Sequence, residues 1–341
     1  VDDFQLVQNE SSNISSIAAD DKGNVYAVGV AAAGSGYVGV LRKSANGGGS
    51  WSTDEWPDAF PNDVAVDDAG NVFVIAGTDS ARVLWRSSTA GENWEEIDDI
   101  PMNPASGEPC NTGFVATGKN GAVVTGASCD FSGWIVRKSG SYGDAFEGAF
   151  FLPPVLPGYA ARLEDVAVGA NGEPFAVGTR IHQLGVAHWL TVTSGGLIVD
   201  DFQLAAELHA SGRGFGASDA SMVAGSASDP NGEKGVLRRH NGQSWSTLDE
   251  FPTMARSAAG VGAQIVVVGE SNASGVSRVV TRLSSNDGLS FDLLDEYEHT
   301  PGQATTSAAL GRDPAGNLYA AIGSVDALAG NRWIVRKLAC Q

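Results

Sequence analysis

Seven of the fifteen arginines, Arg82, Arg162, Arg180, Arg213, Arg256, Arg278 and Arg332, fall in segments between short apolar runs. Carboxylates share those segments, among them Asp63, Glu164, Asp165, Glu207 and Glu298, and so do Tyr159, His182, His209 and His299. Converging guanidinium groups suit a carboxylate, sulfate or phosphate, because their planar fork of N–H donors matches such anions in charge and shape. Two carboxyls about 5–10 Å apart would serve glycoside hydrolysis, and Asp63, Glu164 and Asp165 are the candidates for them. A His or Tyr base beside an Arg that neutralises a uronate would serve elimination, with Tyr159, His209 and Arg213 as candidates. Scattered ion pairs within long polar segments are the plainer reading of the same charges.

Other chemistries are set aside. The chain has no Ser nucleophile elbow, no phosphate-cradling loop and no Cys/His zinc spacing. Its five His spread over 118 positions without ligand spacing, so neither a metal site nor a cofactor is expected. A net charge of −19 argues against nucleic acid and anionic membrane surfaces, since both require neutralising cations. No run reaches the roughly 20 apolar residues of a membrane span. Acidity, Val1 opening directly on a strand-like segment, and three Cys fit a secreted, periplasmic or cell-surface monomer whose export signal has been removed. Cys110 and Cys129 are expected to pair, leaving Cys340 over.

These residues must be positioned by a repeat. A short apolar run ending in Gly recurs, from "NVYAVG" at Gly29 and "NVFVIAG" at Gly77 through "IVVVG" at Gly269 to "LYAAIG" at Gly323. Seven copies in 341 residues give a period of about 49. A strand and a tight turn precede each copy; a third strand ("GVLRKS", "WIVRKS", "GVLRRH") and a fourth ("WSTDEW", "LIVDDF", "WSTLDEF") follow. The reading is an all-β, seven-bladed β-propeller of four-stranded antiparallel blades, with 1–341 as one domain. Two separate β-domains are the alternative, but no linker interrupts the repeat.

The hexapeptide "VDDFQL" occurs at Val1–Leu6 and again at Val199–Leu204. The last unit, "NRWIVRKLACQ", supplies a third strand and no fourth, so the N-terminal copy is expected to complete that unit and close the ring. Arg42, Arg137, Arg238 and Arg336 end third strands, whereas Asp2, Asp54, Asp98, Asp200, Asp249 and Asp295 lie in fourth strands. Opposite charges there are expected to form a solvated rim, each pair worth roughly 0.2–1 kcal/mol.

The turns between third and fourth strands share Ser, a Gly four residues on and an aromatic three after that, as in "SANGGGSW", "SSTAGENW", "SGSYGDAF" and "SSNDGLSF". This resembles the Asp-box of sialidases and related bacterial neuraminidase repeats, with Asn46, Thr89, Ser141 or Asn286 at the usually acidic position. The "DDAGNVFVIAG" element similarly resembles the repeats of bacterial seven-bladed propellers. The resemblance implies a propeller with its ligand site on the face opposite these turns. It does not extend to sialidase chemistry: those enzymes are six-bladed and carry an Arg-Ile-Pro element, which "TRIHQL" at Thr179–Leu184 fails to match.

On that opposite face Asp63, Tyr159, Arg162, Glu164, Asp165, His209, Arg213, Arg256 and His299 form the candidate ligand set, with Asp63, Asp165, Arg213 and Arg256 nearest the channel mouth. The favoured function is a secreted binding module for a glycan, another anionic ligand or a protein partner. A glycoside hydrolase or polysaccharide lyase is the alternative, and a structural repeat of a surface assembly the third.

Overall fold

The computed structural model describes residues 2–56, 58–78, 81–100, 110–129, 133–153, 160–182, 185–217, 219–261, 263–272, 275–313, 315–326 and 330–338. Tyr159 and Cys340 lie outside the described residues. Twenty-eight strands, β1–β28 in chain order, make up the described structure, with single 3-10 turns at Lys119–Gly121 and Ser194–Gly196. No α-helix occurs among the described residues, and no helix there is long and apolar enough to cross a membrane.

The strands pair into five sheets of four and one of eight. In chain order, antiparallel quartets occupy 12–56, 60–100, 112–152, 161–202, 210–251 and 254–297. The final quartet, 305–338, takes β1 (Asp2–Phe4) as its fourth strand. β1 pairs antiparallel with β28 (Gly330–Leu338), placing Asp2 opposite Val335 and Phe4 opposite Trp333. The first strand of each quartet packs on the first strand of the next, and that of the final quartet packs on β2 (Ser12–Ala19). The eight-stranded sheet forms where β18 (Ala210–Ala217) and β22 (Met254–Val261) pair in parallel, Gly216 opposite Ala258 and Ala217 opposite Ala259. Gly216, Ala258 and Ala259 are small, so two backbones can close to the ~4.8 Å spacing of a ladder.

Second strands are apolar on both faces because each sheet is covered on both sides; Val72–Gly77 is buried along its whole length. Their recurrent Gly has a local cause. First strands other than that of the 112–152 quartet carry a bulge, as between Ile14 and Ser16, opposite the end of the apolar run. The bulge thrusts a carbonyl at the facing residue. A Cβ at Gly29 would lie 2.1 Å from the Asn13 carbonyl oxygen, and one at Gly178 would lie 2.1 Å from that of Arg162.

Two kinds of turn repeat. In "DDKGN" the buried Asp20 carboxylate accepts the Lys22 and Asn24 amides at 2.9 and 2.8 Å, and Asp67 and Asp313 accept the Asn71 and Asn317 amides in the same way. In the Ser-led hairpins, Ser44 Oγ accepts the Gly48 amide at 2.9 Å while Asn46 Oδ1 accepts that of Ser50 at 2.8 Å. Ser87 with Thr89, and Ser284 with Asn286, repeat this arrangement. Trp51, Trp94 and Trp245, which follow, are half-buried against the cores of their quartets.

The charged rim differs from the expected solvated one. Arg42, Arg137, Arg238 and Arg336 each reach an Asp in the fourth strand of the preceding quartet rather than of their own. Arg238 holds Asp200 through two nitrogens at 2.6 and 2.7 Å, and Arg42 likewise holds Asp2. Arg137 holds Asp98 at 2.8 Å, and Arg336 pairs with Asp295. The guanidinium also lies over an aromatic two residues past the Asp: Arg42 over Phe4 at 4.3 Å, Arg238 over Phe202 and Arg336 over Tyr297 at 4.0 Å. The Arg238 and Asp200 side chains are only 8% and 9% exposed. These are inter-sheet staples, desolvated because the next sheet covers them. The "DDF" of the duplicated hexapeptide supplies their acid and aromatic.

Candidate functional site

First strands of all the quartets surround a cavity of about 660 Å³. Ser16, Asp63, Val115, Asp165, Gly214 and Ser257 are among its lining residues. Asp63 and Asp165 both stand at first-strand bulges, which turn their side chains along the wall. Asp63 accepts the Val64 amide at 2.8 Å and the Val115 amide of the next quartet at 2.9 Å. Asp165 does the same with Val166 at 2.7 Å and Phe215 at 2.8 Å. Both carboxyls therefore clamp neighbouring sheets while keeping one side on the cavity.

Burial pushes the Asp63 carboxyl up to about 6, against the pull of Ser16 and the two amides. Asp165 is pushed well above the carboxylate range, first by burial and then by the charge of Asp63, with the Phe215 and Val166 amides pulling the other way. Main-chain amides occupy the oxygens of both carboxyls. Their geometry serves cohesion.

The basic groups lie beside them. Glu164 is bridged by two guanidinium groups, Arg162 Nε and Arg213 Nη1, each at 3.3 Å. Arg162 is exposed, whereas Glu164 is largely covered. Arg256 Nε donates to the buried Glu270 at 3.0 Å. The structure thus gathers Arg162, Glu164, Asp165, Arg213 and Arg256 from adjacent quartets, with Asp63 on the same cavity wall. The partner Glu270, buried at the end of a second strand, was not among the residues singled out from sequence.

His209 and His299 fall elsewhere. His209 Nδ1 accepts the Ala187 amide at 3.1 Å. His299 Nδ1 lies 3.0 Å from the Tyr297 hydroxyl and its Nε2 lies 3.6 Å from Asp3, which also holds Arg332 at 3.0 Å. Cys110 and Cys129 form a disulfide with Cα atoms 4.1 Å apart, flanking the first two strands of the 112–152 quartet. Closing such a loop is typically worth ~3 kcal/mol.

One cluster went unread in the sequence. His182, His188 and Asp201 each offer a ligand atom, and these atoms lie within 4.8 Å of one another. The signal was present as two His six positions apart on either side of a hairpin, where antiparallel pairing returns both to one face.

No family model matches the chain, and no curated protein matches its sequence. Solved structures do match its fold. YCF48 from Cyanidioschyzon merolae superposes with a TM-score of 0.61 at 12% identity, over 99% of this chain and 98% of its own. An ulvan lyase of polysaccharide lyase family PL25 gives 0.60 at 12% identity over 98% and 96%, and is also solved bound to -[GlcA(1-4)Rha3S]-. The β-propeller domain of the Trilobed protease from Pyrococcus furiosus gives 0.58 at 10% identity over 97% and 96%. Matches of this length at such low identity establish that the chain has a β-propeller fold.

Proposed function

We propose that the chain is a single seven-bladed propeller domain, sealed by β1 in the final blade, that works as an exported, monomeric binding module for an acidic glycan or similar anionic ligand. In this reading the eight-stranded sheet is two blades fused at β18 and β22, and the Ser-led hairpins are Asp-box turns on the far face. The observation that carries the ligand class is the Arg162–Glu164–Arg213 chain beside Arg256. Three guanidinium groups share two carboxylates, Glu164 and Glu270, through contacts of 3.0–3.3 Å. Such contacts leave N–H donors to meet an incoming carboxylate or sulfate. The ulvan lyase supports the reading only in showing that this fold accommodates a saccharide.

The test is retention on immobilised acidic and neutral glycans, with the eluate assayed for new reducing ends and unsaturated uronates. Retention selective for acidic glycans, weakened at least about tenfold in Arg213→Ala and Arg256→Ala, is the expected result. Equal retention of neutral glycans, or variants that bind as the parent does, would overturn it. Product release would move the assignment to a carbohydrate-active enzyme.

A further inference from the structure

We propose that His182, His188 and Asp201 form a binding site for a borderline divalent cation of the zinc class, with a coordination position left for water. The site is built on the 161–202 quartet by β15 (Pro174–Ile181), β16 (Ala187–Thr193) and β17 (Leu197–Phe202). Register puts the three side chains on one face. His188 stands opposite Arg180, two residues before His182, while Asp201 stands opposite Leu190, two residues after His188. Side chains at i and i+2 of a strand share a face.

The backbone holds His182 in place, because its amide donates to the Val186 carbonyl at 2.9 Å and its carbonyl accepts the Gly185 amide at 2.8 Å. The two imidazoles stack with centroids 3.7 Å apart and planes 21° from parallel. His188 Nδ1 lies 2.7 Å from Asp201 Oδ1.

A second observation points to a missing partner. His182 Nε2 is sealed from solvent and has no hydrogen-bond partner among the described residues. A buried ring nitrogen without a partner costs on the order of 1–3 kcal/mol, and folded proteins rarely tolerate it without use.

Two imidazole nitrogens and one carboxylate oxygen are the donors of an open zinc site. Calcium and magnesium prefer all-oxygen shells and fit poorly. The Arg180 guanidinium shares this face, which weakens cation affinity and favours an anion in the remaining position. Nothing here depends on the glycan reading, since the cluster does not line the central cavity.

Zinc chloride is titrated calorimetrically into protein stripped with a chelator, with melting temperature followed in parallel. One equivalent should bind saturably and raise the melting temperature. Asp201→Asn, which preserves the contact with His188, and His188→Ala should each weaken zinc binding at least about tenfold, with zinc-free melting serving to confirm folding. His240→Gln, which alters a histidine outside the cluster, should bind zinc as the parent does. Absence of saturable one-to-one binding, or wild-type affinity in folded Asp201→Asn, would overturn the proposal.

Discussion

Neighbouring sheets meet in two chemically different ways. At five contacts a buried or half-buried Arg meets an Asp of the preceding quartet: Arg42–Asp2, Arg137–Asp98, Arg238–Asp200, Arg336–Asp295 and, more loosely at 3.9 Å, Arg282–Asp249. At two others the Arg is missing. Between quartets 12–56 and 60–100, Trp85 occupies its place and meets Trp56 edge-on at 5.4 Å. Between 112–152 and 161–202, Val192 replaces the Arg and Phe150 replaces the Asp, and both join one apolar cluster. Acid and base vanish together at this second junction, whereas at the first Asp54 keeps its register position without the Arg and is exposed.

The difference teaches that charge is not what makes two sheets adhere. Apolar contacts do that work at every junction. Burial even pushes the Asp98 carboxyl upward although Arg137 pulls it down, so desolvation consumes much of the attraction. A buried ion pair adds little net stability, yet losing one member leaves a stranded charge. The staples therefore fix how sheets are aligned, and the aromatic faces over which the Arg lies supply cohesion.

The largest effect should follow deletion of residues 1–6. It strips Arg42 of its carboxylate and Trp333 of the edge contact with Phe4 at 5.5 Å, leaving the outer edge of β28 unpaired at 333–335. A cost of at least about 4 kcal/mol in denaturant unfolding is expected; an unchanged midpoint would mean that β1 does not seal the domain. Next comes Arg238→Ala, which leaves Asp200 buried and alone and should cost about 3–5 kcal/mol, while Arg238→Met with Asp200→Leu should cost far less. If single and double changes cost the same, the pair is not coupled.

Converting an apolar junction sharpens the contrast. Val192→Arg alone should destabilise by about 2–3 kcal/mol, and adding Phe150→Asp should return part of that loss. Additive losses would show that the staple cannot be transplanted.

The smallest effect concerns Asp63. Its pKa of about 6 in the folded chain exceeds the ordinary Asp value, so the folded state holds the proton more tightly. That contribution is complete below about pH 4 and is lost as pH rises through about 6. Asp63→Asn keeps an acceptor for both amides but cannot ionise. Its melting temperature relative to wild type should therefore be higher at about pH 7.5 than at about pH 4. A pH-independent difference would remove the burial argument.

Much of this architecture was legible from residues alone. Apolar runs closed by Gly marked second strands, and the duplicated hexapeptide located β1 beside β28. The staples were misread because their partners stand 38–41 positions apart, just short of one period, and side-chain type does not reveal which sheet a neighbour belongs to. Asp63 and Asp165 were read as candidates for a ligand, but their partners include backbone amides of the next quartet, and no residue type announces those. The His182–His188–Asp201 cluster needed register across three strands, which spacing along the chain hides.

The parallel ladder between β18 and β22 gives this molecule a direction of weakness. Where Gly216 and Ala217 share main-chain bonds with Ala258 and Ala259, two sectors are welded. Amides along that weld should exchange with deuterium only when both sectors melt together. Under force the chain will part elsewhere first.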